Sequence, residues 1–399
     1  MINLQEILFK RLEDLYPEMV AFRRDLHMNP ELSHHEVETP EKVASFLREL
    51  GLDVRTEVGG RGVVGKLVGG KPGSTVALRA DFDALPIKDE KDVPYRSQVD
   101  GVMHACGHDV HTSGLLHVAK VLSEHREELP GTIVFIHQFA EEVIPGGAKF
   151  MVGDGCLDGV DAVFGAHVSS TDPPGFVGYR EGPVMANGDT FEITIHGKGG
   201  HAANPHLAVD PLAIGGQVMT SLQQIASRQT DPLKSAVVTV ASFNGGDSFN
   251  VIPDTANIRG TVRTFEPEVR DLVEKSIKSI AESTCEGLGA RAEVEYVRGY
   301  PAVVNDPEET KRLRRVAESI YGEDNVAEIP PMMGMEDFAY YVKEKPGSFV
   351  WVGGAMPDEK DVYPHHHPKF DVDEEAMLYI GRLFIATVLD YMENPGNRK

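Results

Sequence analysis

Nine residues, Met103 to His111, read MHACGHDVH and carry five side chains able to bind a metal or move a proton: His104, Cys106, His108, Asp109 and His111. Gly107 lets the backbone turn tightly among them. In an extended or turning segment residues two apart point the same way, so Cys106 and His108 can reach one ion together. A buried thiol beside solvated histidines is the plain alternative for a single Cys or His. What raises the cluster above that alternative is the rest of the chain, which supplies matching parts.

At 399 residues the chain exceeds one ordinary core and points to two domains or more. Hydrophobic residues at 41 % and charged residues at 25 % describe a soluble globular protein. A formal net charge of -23 at pH 7 argues against sequence-independent nucleic-acid binding, which needs a basic surface to displace counterions, and against anionic membranes. The opening MINLQEILFKRLEDLYPEM mixes acids and bases through its apolar residues, unlike a secretory signal, and no apolar run is long enough to cross a bilayer. The three cysteines, Cys106, Cys156 and Cys285, are odd in number and far apart, so a reducing cytoplasm is expected.

Leu4, Ile7, Leu8, Leu12, Leu15, Met19, Phe22 and Leu26 recur at helical spacing, broken near Pro17. Thr39-Pro40-Glu41 reads as a cap, a first-turn proline and an early acid, hence a helix start. Strands are predicted at Val63 to Val68, Thr75 to Ala80, Thr132 to Phe139 and Val160 to Ala166, with a helix from Val110 to Ser123. Asp81 and Asp83, then Glu141 and Glu142, then His167 follow three of these strands. In open α/β sheets ligands gather at strand C-termini, so the coincidence marks a site. From Asp189 the predicted order becomes strand, helix, strand, strand, helix, strand: a βαββαβ, ferredoxin-like unit. The α/β pattern resumes with helices from Glu308 to Tyr321 and Glu374 to about Tyr391, and a strand from Ser348 to Val352, so the small domain interrupts the large one.

MHACGHDVH, Glu141-Glu142, His167 in GAHV, GKGGHAANP, FNVIPDTANIRGTVRTF, GMEDFAYY and HHHPKFDVDE, with RRDLHMNPELS near the start, together resemble one family. It is the family of di-metal amidohydrolases that includes aminoacylases, hippurate hydrolases, N-acetyl-diaminopimelate deacetylases and auxin–amino acid conjugate hydrolases. The resemblance implies a large aminopeptidase-like α/β catalytic domain at residues 1-185 and 302-399, and an inserted ferredoxin-like lid or dimerisation domain at 186-301. It implies a branch with a Cys ligand, in which Cys106, His108, Glu142, His167 and His366 hold two divalent ions and Glu141 is the general base. The pattern His-x-Pro selects His366 over His365 and His367. Where metallopeptidase relatives have His-x-Asp this chain has Asp81-Phe82-Asp83, so Asp83 is expected to orient a ligand without binding metal.

In the small domain the resemblance gives His201 the oxyanion of the tetrahedral intermediate, with Asn250 nearby, in some members across a homodimer or higher homo-oligomer. Arg263, or Arg259 on the same strand face, is the candidate for binding a substrate carboxylate. Gly334, Glu336 and Asp337 are expected to wall the pocket. The ligand chemistry admits Mn, Zn, Co or Ni. The expected reaction is hydrolysis of an N-acyl-L-amino acid. Dipeptide or N-carbamoyl cleavage is the near alternative, and a metal-free thiol hydrolase using Cys106 with His108 or His111 the distant one.

Overall fold

The computed structural model describes residues 4–395. The chain forms two compact units, the first made of residues up to Val184, Val303–Pro330 and those from Asp337 onward, the second of Met185–Ala302 and Pro331–Glu336. The short segment Pro331–Glu336, which the expected domain limits assign to the large domain, belongs to the second unit. It does so because Ala186 N–H donates to the Met332 carbonyl (3.0 Å) beside a parallel bridge from Met185 to Met332.

The first unit is built on an eight-stranded sheet whose centre is parallel: Pro130–Gln138, Lys71–Asp81, Ala162–Ser169 and Gly347–Gly353 lie side by side in that order. These strands are apolar on both faces, as a sheet covered by helices on both sides requires. Their register aligns Asp81 with Gln138, Arg79 with Gly165 and His167 with Trp351, so their C-terminal ends finish on one edge of the sheet. The opening apolar stripe forms two helices, Leu4–Asp14 and Tyr16–Met28, with Pro17 in the first turn of the second. The helix His108–Glu124 is buried on almost every side and packs with Ala376–Glu393 into the same core.

Element limits shift by a few residues from expectation, and two helix starts do so for a visible local reason. The helix predicted to begin at Val110 begins at His108, because Gly107 takes a left-handed φ of 94° and serves as its N-cap. Cys106 and His108 therefore flank a reversal and do not sit on one extended strand. A Cβ at Gly107 would also collide with Val168, so the residue is fixed by both space and dihedral. The helix predicted to be capped by Thr39 spans Glu38–Glu49, without a side-chain bond from its own N-cap, Val37. Its exposed N–H groups are taken by the Glu31 carboxylate, which accepts from Val37 (2.8 Å), Glu38 (3.0 Å) and Thr39 (2.8 Å).

The second unit has a four-stranded antiparallel sheet in the order Ala236–Asn244, Thr255–Thr264, Asn187–His196, Arg291–Arg298. The helices Pro211–Gln224 and Pro267–Gly287 bury Phe191, Ile193, Ile195, Ile258 and Val262 beneath Ile214, Val218, Leu222, Val273 and Ile277. Alternation along Asn187–His196 sends every second side chain into this core. The order is that of a ferredoxin-like βαββαβ sandwich. Among the described residues, no helix is long and apolar enough to cross a membrane.

Candidate metal centre

The parallel strand ends and the turn at Gly107 bring the sequence-predicted residues of the first unit together. Three overlapping groups have ligand atoms within 4.8 Å of one another: Cys106, His108 and His167; Cys106, Glu142 and His366; His108, Glu141 and Glu142. Cys106 Sγ lies 3.4 Å from His167 Nε2. Glu142 Oε1 lies 3.2 Å from His366 Nε2 and 3.9 Å from His108 Nε2, in neither case aligned as a hydrogen bond. Two ligands on one ion at bond lengths near 2 Å stand on the order of 3 to 4 Å apart, so these separations suit shared cations.

Hydrogen bonds fix which ring nitrogens face inward. His108 Nδ1–H donates to the carbonyl (3.0 Å) and carboxylate (3.1 Å) of Asp83, leaving Nε2 with its lone pair toward the centre. His167 Nδ1–H donates to the Val168 carbonyl (2.8 Å), which turns Nε2 to Cys106, and its ring stacks on Trp351 (centroids 4.5 Å apart). His108 Nε2 and Glu142 Oε1 are both buried and neither has a hydrogen-bond partner. Buried polar atoms left this way normally have an unseen partner, and a cation between them satisfies a lone pair and a carboxylate at once.

Of the HHH run, His366 reaches Glu142, adopting a left-handed φ of 65° while its own N–H donates to Ala105 (2.8 Å). His365 accepts from Ser170 N–H at Nε2 (3.4 Å) and turns Nδ1–H toward Cys106 Sγ (3.6 Å), while His367 stacks on Tyr363. Other members of the nine-residue cluster face elsewhere. Asp109 accepts from Arg23 and His27, each at 2.8 Å. His104 is buried with neither ring nitrogen hydrogen-bonded, and burial lowers its pKa to about 4. His111 donates from Nδ1 to Asp81 (2.6 Å) and accepts Val168 N–H at Nε2 (2.9 Å), so its lone pair is already used. That pairing removes it both as a ligand and as a base for Cys106.

Burial opposes charge on His108, but Asp81, Asp83 and Glu142 outweigh it and raise its pKa to about 10. The acidic groups around His108 thus favour positive charge at this point of the centre. Burial, then Glu142, Glu141 and Asp81, push the Cys106 thiol well above its usual range. A nucleophilic cysteine requires the reverse, whereas a metal ligand has its proton displaced by the ion. In this direction the environment of Cys106 suits a metal ligand better than the nucleophile of a thiol hydrolase.

Asp337, expected in a pocket wall, is instead fully buried and accepts from Arg79 (3.1 Å), Gln138 (2.7 Å) and Ala148 N–H (2.9 Å). Arg79 in turn holds Asp81 at 2.6 Å. In the second unit His201 pairs in a short ladder with Val251, and Ala202 N–H donates to the Asn250 carbonyl (3.1 Å), so His201 and Asn250 are neighbours. Arg263 lies at the far end of its strand, half-buried and bonded to Thr261 and the Val262 carbonyl, while Arg259 is paired with Glu192 (3.1 Å).

Cys, His and Glu side chains gathered beside the ends of parallel strands mark a candidate site of metal-dependent chemistry. The sequence profile of peptidase family M20/M25/M40 matches residues 77–390, and the chain belongs to that family, whose members hydrolyse amide bonds. It is 50 % identical over 389 residues to YhaA of Bacillus subtilis (strain 168), named as an amidohydrolase, covering 98 % of each chain. It is 41 % identical over 379 residues to the N-acetylcysteine deacetylase of the same organism, covering 95 % of this chain and 98 % of that one. The crystal structure of Bacillus subtilis YXEP, described as a dinuclear metal binding peptidase, superposes with a TM-score of 0.82 at 38 % identity over 96 % of this chain and 99 % of that one.

Proposed function

We propose that the protein hydrolyses the amide bond of N-acyl amino acids, releasing a carboxylic acid and a free amino acid. Cys106, His108, Glu142, His167 and His366 would hold two divalent ions. The observation that carries this reading is the pair of buried, unpartnered atoms, His108 Nε2 and Glu142 Oε1, facing each other beside Cys106. Bound divalent ions supply an acidified water and polarise the scissile carbonyl.

The chain's own residues do the rest. Glu141, grouped with His108 and Glu142, takes the proton of the attacking water and returns it to the leaving nitrogen. Asp83 keeps the His108 lone pair directed at the centre by accepting from the opposite ring nitrogen. His365 directs an N–H at the Cys106 sulfur, which favours its thiolate form. His201 serves the developing oxyanion with Asn250 beside it, and Arg263 a substrate carboxylate. The mixed N, O and S donor set is compatible with Zn, Mn, Co or Ni. A homodimer or higher homo-oligomer in a reducing cytoplasm completes the proposal.

A panel of N-acetyl, N-benzoyl and indole-acetyl amino acids, assayed against dipeptides and N-carbamoyl amino acids with each of the four metals, tests it. Turnover of an acyl amino acid that stops on chelation supports the reading. Turnover confined to dipeptides would replace it with the peptidase alternative.

A further inference from the structure

The segment PELSHHE, residues 30–36, supplies none of the proposed ligands, yet it is built into the back of the centre. Glu31 locks the segment onto the start of the helix Glu38–Glu49 through three backbone N–H groups. Ser33 Oγ–H then donates to Asp83 Oδ2 (2.7 Å). Glu36, fully buried, accepts Ala140 N–H at Oε1 (2.9 Å). Asp83 Oδ2 also accepts Glu142 N–H (3.0 Å). The backbone N–H groups immediately before and after Glu141 are thus each held by a buried carboxyl group from a different part of the chain.

The grip is needed because Ala140 has a φ of 49°. A residue with a Cβ adopts that left-handed region only where its surroundings enforce it. Its carbonyl is also tied, accepting Gly147 N–H (3.0 Å), at a point where a Cβ on Gly147 would strike the Phe139 carbonyl. With one anchor removed, the peptide before Glu141 is free to return to an ordinary conformation, which swings the side chain that follows.

We propose that Glu36 is a positioning residue for Glu141: it holds the Ala140–Glu142 backbone against Asp83 and so aims the carboxylate that moves the proton. Burial, with the nearby charge of Asp83, pushes the Glu36 carboxyl up to about 8. That shift favours the neutral carboxyl, and glutamine reproduces its shape and its acceptor.

This inference rests on the proposed hydrolysis, and the test separates the two. Glu36→Met keeps the length and removes the acceptor, Glu36→Asp withdraws it by one methylene, and Glu36→Gln retains it. Each is compared with wild type for kcat and KM on an N-acetyl amino acid and for metal content by elemental analysis. Misplacing a reacting group by about 1 Å costs about 10²-fold. Glu36→Asp and Glu36→Met are expected to lose kcat on that order with KM and metal content unchanged, and Glu36→Gln to stay near wild type. Should Glu36→Met prove unfolded, Glu36→Asp against Glu36→Gln carries the comparison. Wild-type kcat in Glu36→Asp, a kcat that falls only in step with lost metal, or a Glu36→Gln as impaired as Glu36→Asp would each overturn the positioning role and leave the hydrolysis standing. Absence of turnover by the wild type would overturn the hydrolysis, and this role with it.

Discussion

Adjacent in sequence and alike in chemistry, Glu141 and Glu142 are separated by what surrounds them. Glu142 Oε1 faces His108 and His366 without a hydrogen bond, while Glu141 shares the group with His108 but not the one with Cys106 and His366. Glu141→Gln should therefore keep its metal and lose about 10²- to 10⁴-fold in kcat, and Glu142→Gln should lose metal affinity. Parallel metal titrations and turnover assays check this; exchange of the two phenotypes would reverse the roles. The carboxylate pair could be read from sequence because it follows an apolar strand. Within MHACGHDVH, by contrast, composition could not separate His108 from His104, Asp109 or His111. What separates them is the direction each takes around Gly107 and the partner already waiting there: Arg23 for Asp109, and Asp81 with Val168 for His111. Glu36 was passed over because its partner, a single backbone N–H, leaves no trace in the side-chain pattern.

Elements were most legible where burial dictates them and least where a distant group does. The strands at Lys71–Asp81, Pro130–Gln138 and Gly347–Gly353 announce themselves by apolar runs. The start of Glu38–Glu49 does not, because its cap is a carboxylate seven residues upstream of the helix, a choice made by tertiary folding. The helix Tyr16–Met28 is likewise fastened from afar. Its fully buried Arg23 donates to Asp109, to Asp371 (2.9 Å) and to Glu374 (3.2 Å).

Burial alone would raise the Asp371 carboxyl, but Arg23 and Lys91 hold it down from 3.8 to about 2. A depressed carboxyl pKa contributes stability above its unfolded value and loses it as pH falls through the folded value. The contribution is on the order of 2 kcal/mol, lost between about pH 4 and 2. Asp371→Asn should lower the unfolding midpoint at pH 7 and flatten its dependence on pH across that acid range. Thermal unfolding followed at pH 7 and through that acid range measures this; equal slopes in mutant and wild type would contradict it.

At the scale of the molecule, two independent cores divide the chain, and the second interrupts the first in sequence. The change from buried parallel strands to alternating antiparallel ones made that interruption readable near Asp189. The return of Pro331–Glu336 to the second unit was not, since it depends on one backbone pairing at Met332. His201 lies in that second unit, beside Asn250. If it serves the oxyanion, His201→Ala should lower kcat by about 10²-fold or more with metal content and KM unchanged. Steady-state kinetics on the metal-replete mutant decide this, and wild-type kcat would remove His201 from the reaction.

The claim on which the rest depends is that the Cys106 thiolate is a ligand of the catalytic ions. The direct measurement is metal content and N-acetyl amino acid hydrolysis of Cys106→Ala beside wild type, with Cys156→Ala and Cys285→Ala as buried-thiol controls. The account predicts that Cys106→Ala loses both metal and nearly all turnover while the two controls keep them. A metal-replete, active Cys106→Ala protein would contradict it.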